Sequence, residues 1–89
     1  MPPLPLLLAL LEIGRLTERV IILVHSTSHA VAAERVLRRA GLRVRLIPTP
    51  RELSSDCGSA LEIAADDRAV CQQALQEARV PIDRIEVLS

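Results

Sequence analysis

Two cysteines and two histidines are the residues of this 89-residue chain with the widest choice of chemistry. Cys57 stands near the end of a run of turn formers, Pro-Thr-Pro-Arg-Glu-Leu-Ser-Ser-Asp-Cys-Gly over 48–58. Gly58 directly after it would leave the sulfur uncrowded and permit an unusual backbone angle. Arg51 in the same run offers positive charge, and Asp56 opposes it. Cys71 falls instead on the apolar face of a helical stretch, where cysteine behaves as a small hydrophobe. His25 and His29 lie four apart and would make a zinc pair if Ser26–Ser28 were helical, with Cys57 as a third ligand. His25 ends a strand-like run, however, and no fourth ligand is evident, so neither a metal nor a cofactor is expected. With only three glycines there is no phosphate-cradling loop. A Ser–His–Asp reading would require arbitrary choices among scattered residues.

The elements that must position Cys57 follow from periodicity. Arg19 to His25 is β-branched and apolar on both faces, which predicts a central strand. Ser26-Thr27-Ser28 supplies helix-capping residues. A helix is then expected to about Ala40, with Ala33, Val36, Leu37 and Ala40 on its apolar face and Gly41 as its stop. Leu42 to Leu46 alternates strictly, with Arg43 and Arg45 outward. Ser59 to Ala64 alternates again. Asp66 or Asp67 is expected to cap a second helix to about Arg79, with Val70, Cys71, Ala74, Leu75 and Ala78 inward. Pro81 breaks the chain before a last strand, Ile82 to Leu88, with Ile85 and Val87 inward.

The order strand, helix, strand, strand, helix, strand predicts an α+β fold. It is a ferredoxin-like βαββαβ two-layer sandwich: a four-stranded antiparallel sheet, ordered fourth, first, third, second, with both helices on one face. Arg43, Arg45, Glu62, Arg84 and Glu86 are expected on the other face, beside an apolar strip from the first strand and Leu88. In this topology the 48–57 loop meets the sheet edge where the first strand ends. Cys57-Gly58 is therefore expected close to His25-Ser26 and to the first helix's N-terminus. Free N–H groups and the helix dipole there favour a thiolate. The functional reading is an exposed reactive cysteine; the plain one is an ordinary loop thiol. A Cys57–Cys71 redox pair needs Cα atoms within about 7 Å, which this topology does not suggest.

Composition excludes other classes. The formal charge is zero, all eleven bases are arginine, and there is no Phe, Tyr or Trp. Neither the basic excess for phosphate backbones nor a platform for stacking bases is present, so no nucleic acid is expected. The hydrophobic fraction of 49% and charged fraction of 25% are those of one globular domain. Residues 1–17 form an apolar extension and 18–89 the domain. Pro2, Pro3 and Pro5 delay any helix, leaving Leu6–Ile13 as a short apolar helix or tail that would dock on the domain or on a dimer partner. The apolar run Leu4–Leu11 is shorter than the about 20 residues a membrane span needs. It lacks a signal peptide's basic flank and cleavage site, so the expectation is cytoplasmic, with reduced thiols and no membrane.

The stretch Leu46-Ile-Pro-Thr-Pro-Arg-Glu-Leu-Ser-Ser-Asp-Cys-Gly58 closely resembles the signature of the selenium/sulfur carrier protein-like family of small bacterial domains. Ser26-Thr27-Ser28-His29-Ala30 followed by Glu34 resembles that family's start to its first helix. The resemblance spans about residues 19 to 88 and places the carrier cysteine on Cys57. Pro48, Pro50, Arg51, Ser54 and Gly58 frame it, and His25, Ser26 and Thr49 are expected as supporting residues. It implies that Cys57 holds sulfur or selenium as a persulfide or selenopersulfide, taken from a donor such as a cysteine desulfurase and passed to an acceptor protein. A carrier of this kind needs no turnover of its own. A regulatory or assembly module, or a thiol redox sensor at Cys57, remain the competing readings.

Overall fold

The computed structural model of the protein describes residues 18–88. The expected extension 1–17, with its Leu6–Ile13 helix, lies outside the described residues. The described chain runs β1 (Arg19–Leu23), α1 (Thr27–Arg39), β2 (Val44–Pro48), β3 (Ser59–Ile63), a 3₁₀ turn (Ala65–Asp67), α2 (Arg68–Glu77) and β4 (Arg84–Leu88). The sheet order is β2-β3-β1-β4, every neighbouring pair antiparallel. This is the expected α+β sandwich, with β1 and β3 central and β2 and β4 at the edges.

The element ends differ from the periodicity because caps decide them. β1 stops at Leu23, short of the expected His25, and the chain turns so that Ser26 becomes the N-cap of α1, its side chain accepting the His29 N–H. At the far end of α1 the Gly41 N–H bonds the Arg38 carbonyl and the Leu42 N–H bonds the Leu37 carbonyl. Gly41 sits at φ +78°, so this is the Schellman closure that glycine permits. α2 closes in the same way on Arg79 at φ 57°, with the Val80 N–H on the Leu75 carbonyl. Here a side-chain residue bears a left-handed backbone that costs about 1–2 kcal/mol relative to the right-handed one. The expected capping by Asp66 or Asp67 is corrected: a 3₁₀ turn precedes α2, and Asp67 holds the N-cap position without a side-chain bond.

The core holds no aromatic side chain and lies between the helices and the inner sheet face. Val20 and Ile22 of β1, Leu61 and Ile63 of β3, Ala30, Ala33 and Leu37 of α1, and Cys71 and Leu75 of α2 form it. Each fully buried leucine there contributes about 1.5–3 kcal/mol relative to exposure. The register explains the pattern: Ile22 pairs with Leu61 and Ile85 across β1, so one face of three strands is apolar at the same height. Some expected core positions are exposed instead. Ala40 is the C-cap of α1, Val70 and Ala78 lie outside the stripe Cys71–Leu75, and Val87 is on edge strand β4.

The outer face carries both predicted elements. Ile21, Leu23 and Ala60 form an apolar strip with Ile47, Leu53 and Leu88 packed on it. Beside it Glu62 pairs with Arg19 at 2.7 Å and with Arg45, while Arg84 pairs with Glu86 at 3.0 Å. The two arginines hold the Glu62 carboxyl below its usual range, mainly through the Arg19 hydrogen bond.

Candidate functional site

The topology brings three segments together at one sheet edge: the end of β1, the first turn of α1 and the β2–β3 loop over 49–58. That edge is where Cys57 lies. Thr27, the first residue of α1, places Oγ1 3.6 Å from the Cys57 sulfur. The Ser59 backbone N–H donates to the sulfur at 3.4 Å. The Cys57 backbone is fixed as well. Its N–H donates to Ser55 Oγ, whose hydroxyl donates to the Val24 carbonyl, both at 3.2 Å. Its carbonyl accepts the Thr49 hydroxyl at 2.9 Å, and the Thr49 N–H closes on the Gly58 carbonyl at 2.9 Å.

These bonds overturn one expectation: Cys57 is not an exposed loop thiol. It is 5% exposed and belongs to the core cluster with Val24 and Ala30. The cause is local, because Ser55 and Thr49 anchor the backbone on either side and turn the sulfur toward α1. The loop over it is largely open to solvent, with Arg51, Glu52, Ser54, Asp56 and Gly58 exposed.

The other predicted residues fall into distinct places. Thr49 holds the Cys57 carbonyl. Ser26 caps α1 and bonds Ser28, so its hydroxyl serves the helix and not the sulfur. His25 lies beside the site as expected, but its Nδ1 is 3.0 Å from Asp56 Oδ2 and its Nε2 is 3.8 Å from Asp83 Oδ1. Ser54 contributes its carbonyl, which accepts from the Arg84 guanidinium. Arg51 is exposed and makes no hydrogen bond or ion pair with any described residue. Gly58 needs no special backbone: it is outside the left-handed region, and an added Cβ would meet nothing within 4 Å. His29 is half-buried in the first turn, with Nδ1 buried and unpartnered.

The cysteines are unlike, as the sequence suggested. Both are free. Cys71 is fully enclosed, and burial, with the Asp67 carboxylate adding to it, pushes its thiol up to about 11. Among the described residues no group of three or more His, Cys, Asp or Glu could hold a metal ion. No described helix is long and apolar enough to cross a membrane.

Sequence reasoning missed Thr27, Ser55, Ser59, Asp83 and Arg84. Thr27 and Ser59 carried a faint signal, since each adjoins a segment already placed at this edge. Asp83 and Arg84 carried none: Arg84 reaches the loop from β4 through its register with Leu23, and Asp83, just before β4, pairs with Arg84 and lies near His25.

The sulfur thus accepts a backbone N–H and adjoins a neutral hydroxyl, able to donate to a sulfur anion, at the start of a helix. Such donors can hold a sulfur anion by dipoles without a neighbouring cation. No curated protein and no solved structure matches the chain. The family model described as "Putative Se/S carrier protein-like" matches residues 19–86, which takes in the whole Cys57 site and nearly all of the sheet, and the chain belongs to that family.

Proposed function

We propose that the protein is a carrier that holds sulfur or selenium on Cys57. The Cys57 thiolate attacks the outer sulfur of a donor persulfide. The donor's S–S bond breaks, its cysteine leaves as a thiolate, and a new S–S bond forms on Cys57. No oxidant is consumed, because the outer sulfur arrives already in its transferable state. A nucleophile on the acceptor then attacks the same outer atom and releases Cys57 as thiolate. Selenium follows the same balance with a selenium–sulfur bond.

The observation that carries this reading is the family match across a cysteine whose sulfur accepts the Ser59 N–H and adjoins the Thr27 hydroxyl. A terminal sulfur bound there would replace part of its water shell with fixed donors. The donor we propose is a cysteine desulfurase, with a separate acceptor protein and a cytoplasmic setting. The protein itself performs no turnover.

The test is direct. The full chain is mixed with a desulfurase and cysteine, then weighed intact without reductant. An adduct of about +32 Da per chain, absent from Cys57→Ser, is expected for a persulfide. No adduct, or an equal one on Cys57→Ser, would reject the assignment.

A further inference from the structure

We propose that the open edge of β2, with the flank of α1 beside it, is the docking surface for an acidic, extended segment of the protein that exchanges sulfur with Cys57. The role of that partner rests on the carrier reading; the surface itself rests on charge, exposure and register.

The zero net charge of the chain hides an asymmetry. Five of the eleven arginines and none of the eleven acids lie within 35–45, so the rest of the chain carries six arginines against eleven acids. All five are exposed, on the second half of α1 and on the chain leading through β2. Glu34 pairs with Arg38 at 3.7 Å, and Glu62 pairs with Arg45. Arg35, Arg39 and Arg43 make no hydrogen bond or ion pair with any described residue. Charge of one sign gathered at one edge attracts an acidic surface and steers its approach.

The same edge exposes apolar side chains. Leu46 lies on the core face of β2, opposite the fully buried Leu61, yet it is 39% exposed because no described strand flanks β2 on its outer side. α1 packs on β2 and β3. The stripe of α1 that begins at Thr27 continues at helical spacing through Val31, Glu34 and Arg38, and Val31 is 41% exposed. A right-handed crossover from β1 to β2 turns this stripe toward the open edge and the opposite flank, with half-buried Val36, toward α2. A helix flank and an unpaired strand thus bound a ledge, apolar at Val31 and Leu46 and basic at its rim.

Both sides of the ledge run to the sulfur. Thr27, the exposed first residue of the stripe, places Oγ1 3.6 Å from the Cys57 sulfur. At the end of β2, Pro48 pairs with Ser59, whose N–H donates to that sulfur. A segment lying along the ledge therefore ends beside the site. A strand added to β2 would meet Arg43 and Arg45 on one sheet face and Val44 and Leu46 on the other, because opposed residues share a face. The segment that fits alternates acidic and apolar residues. A second copy pairing through its own β2 would set arginine against arginine. On the other free edge, β4, Arg84 is paired with Glu86, and no excess of one sign gathers there. With no aromatic side chain in the whole chain, the ledge offers bases nothing to stack on.

The test is a titration of the ¹⁵N-labelled full chain with the peptide acetyl-Glu-Val-Glu-Val-Glu-Val-amide, followed by amide chemical shifts. At millimolar peptide, shifts are expected over Val44–Ile47 and Thr27–Val31, and they should shrink as salt rises. Arg43→Glu and Val31→Glu are each expected to weaken binding about five- to tenfold. Arg68→Glu makes the same charge change on exposed α2 and should leave binding within about twofold. The spectra also report directly that each variant is folded. Absence of shifts, shifts centred on β4, equal losses in all three variants, or tighter binding of the lysine counterpart or of a short oligothymidylate would overturn the proposal. So would a dimer of the full chain that Arg43→Glu dissociates, since the edge would then belong to a second copy. No readout involves a sulfur donor, so failed persulfide loading would reject the carrier reading alone, and failed peptide binding would reject the docking surface alone.

Discussion

Ser55 is the point at which the Cys57 loop is joined to the core. Its hydroxyl donates to the carbonyl of Val24, which is fully buried, and accepts the Cys57 N–H. Replacing Ser55 by Ala removes both bonds and leaves two backbone groups without partners. At roughly 1 kcal/mol for each net hydrogen bond, the closed state loses about 2 kcal/mol. Both bonds are at 3.2 Å, the long end of good geometry, which argues against a larger figure. Neither bond survives in an open loop or in the unfolded chain, so both equilibria shift by the same amount. Cys57 alkylation should therefore rise about 30-fold, since about 1.4 kcal/mol is a factor of ten. The urea midpoint should fall by about 1–2 M, for a slope of about 1–2 kcal/mol per molar. A midpoint that falls while the alkylation rate stays within about twofold of wild type would refute the reasoning. It would mean that the Ser55 bonds persist when the thiol is reached, and that the thiol is exposed by another route. If neither quantity moved, the two bonds would have no net worth.

Two further substitutions test the frame that holds the site. Arg79 carries the left-handed closure of α2 and is exposed. Arg79→Gly should therefore stabilise the fold by about 0.5–1 kcal/mol after the extra entropy of unfolded glycine, raising Tm by several degrees; an unchanged or lower Tm would reject the strain. Glu62 has its folded-state carboxyl held below the ordinary 4.5, first by the Arg19 hydrogen bond and then, against the opposing effect of burial, by Arg45. Its contribution is present above that ordinary value and is lost as pH falls through the lowered one. Urea stability of the wild type should therefore drop more steeply than that of Glu62→Gln below pH 4.5, and parallel curves would show that the pairs contribute nothing.

The fold was legible because local signals agreed. The two-faced apolar run of β1, the alternation of Ser59 to Ile63 and the stop at Gly41 all point to one topology, and that topology alone brings Cys57 to the end of β1. What the sequence hid was orientation. Loop composition marked Cys57 as surface, yet two hydroxyls, Ser55 and Thr49, turn it inward, and a hydroxyl's choice of partner leaves no trace in periodicity. Arg51 shows the reverse failure. Proximity along the chain suggested a cation for the sulfur, but the turn directs it to solvent, while Arg84, 27 residues beyond Cys57 in sequence, reaches the loop through strand pairing.

On the carrier reading proposed above, a buried Cys57 sets two demands against each other. Shielding favours a sulfur packed in the core, and transfer requires the outer atom to meet a nucleophile on another protein. A deep, rigid site would meet the first demand only; a mobile loop thiol would meet only the second. The Cys57 site divides them between two sets of bonds. Thr27 and Ser59, which belong to α1 and β3, hold the sulfur itself. Ser54 and Asp56, which belong to the loop, are held by β4 and His25. This division also gives the neutral character of the sulfur's surroundings a reason. A cation beside Cys57 would strengthen the hold on an anionic cargo in both the open and closed states and slow its departure. Dipoles from a backbone N–H and a hydroxyl hold it more weakly, which suits an atom that must leave.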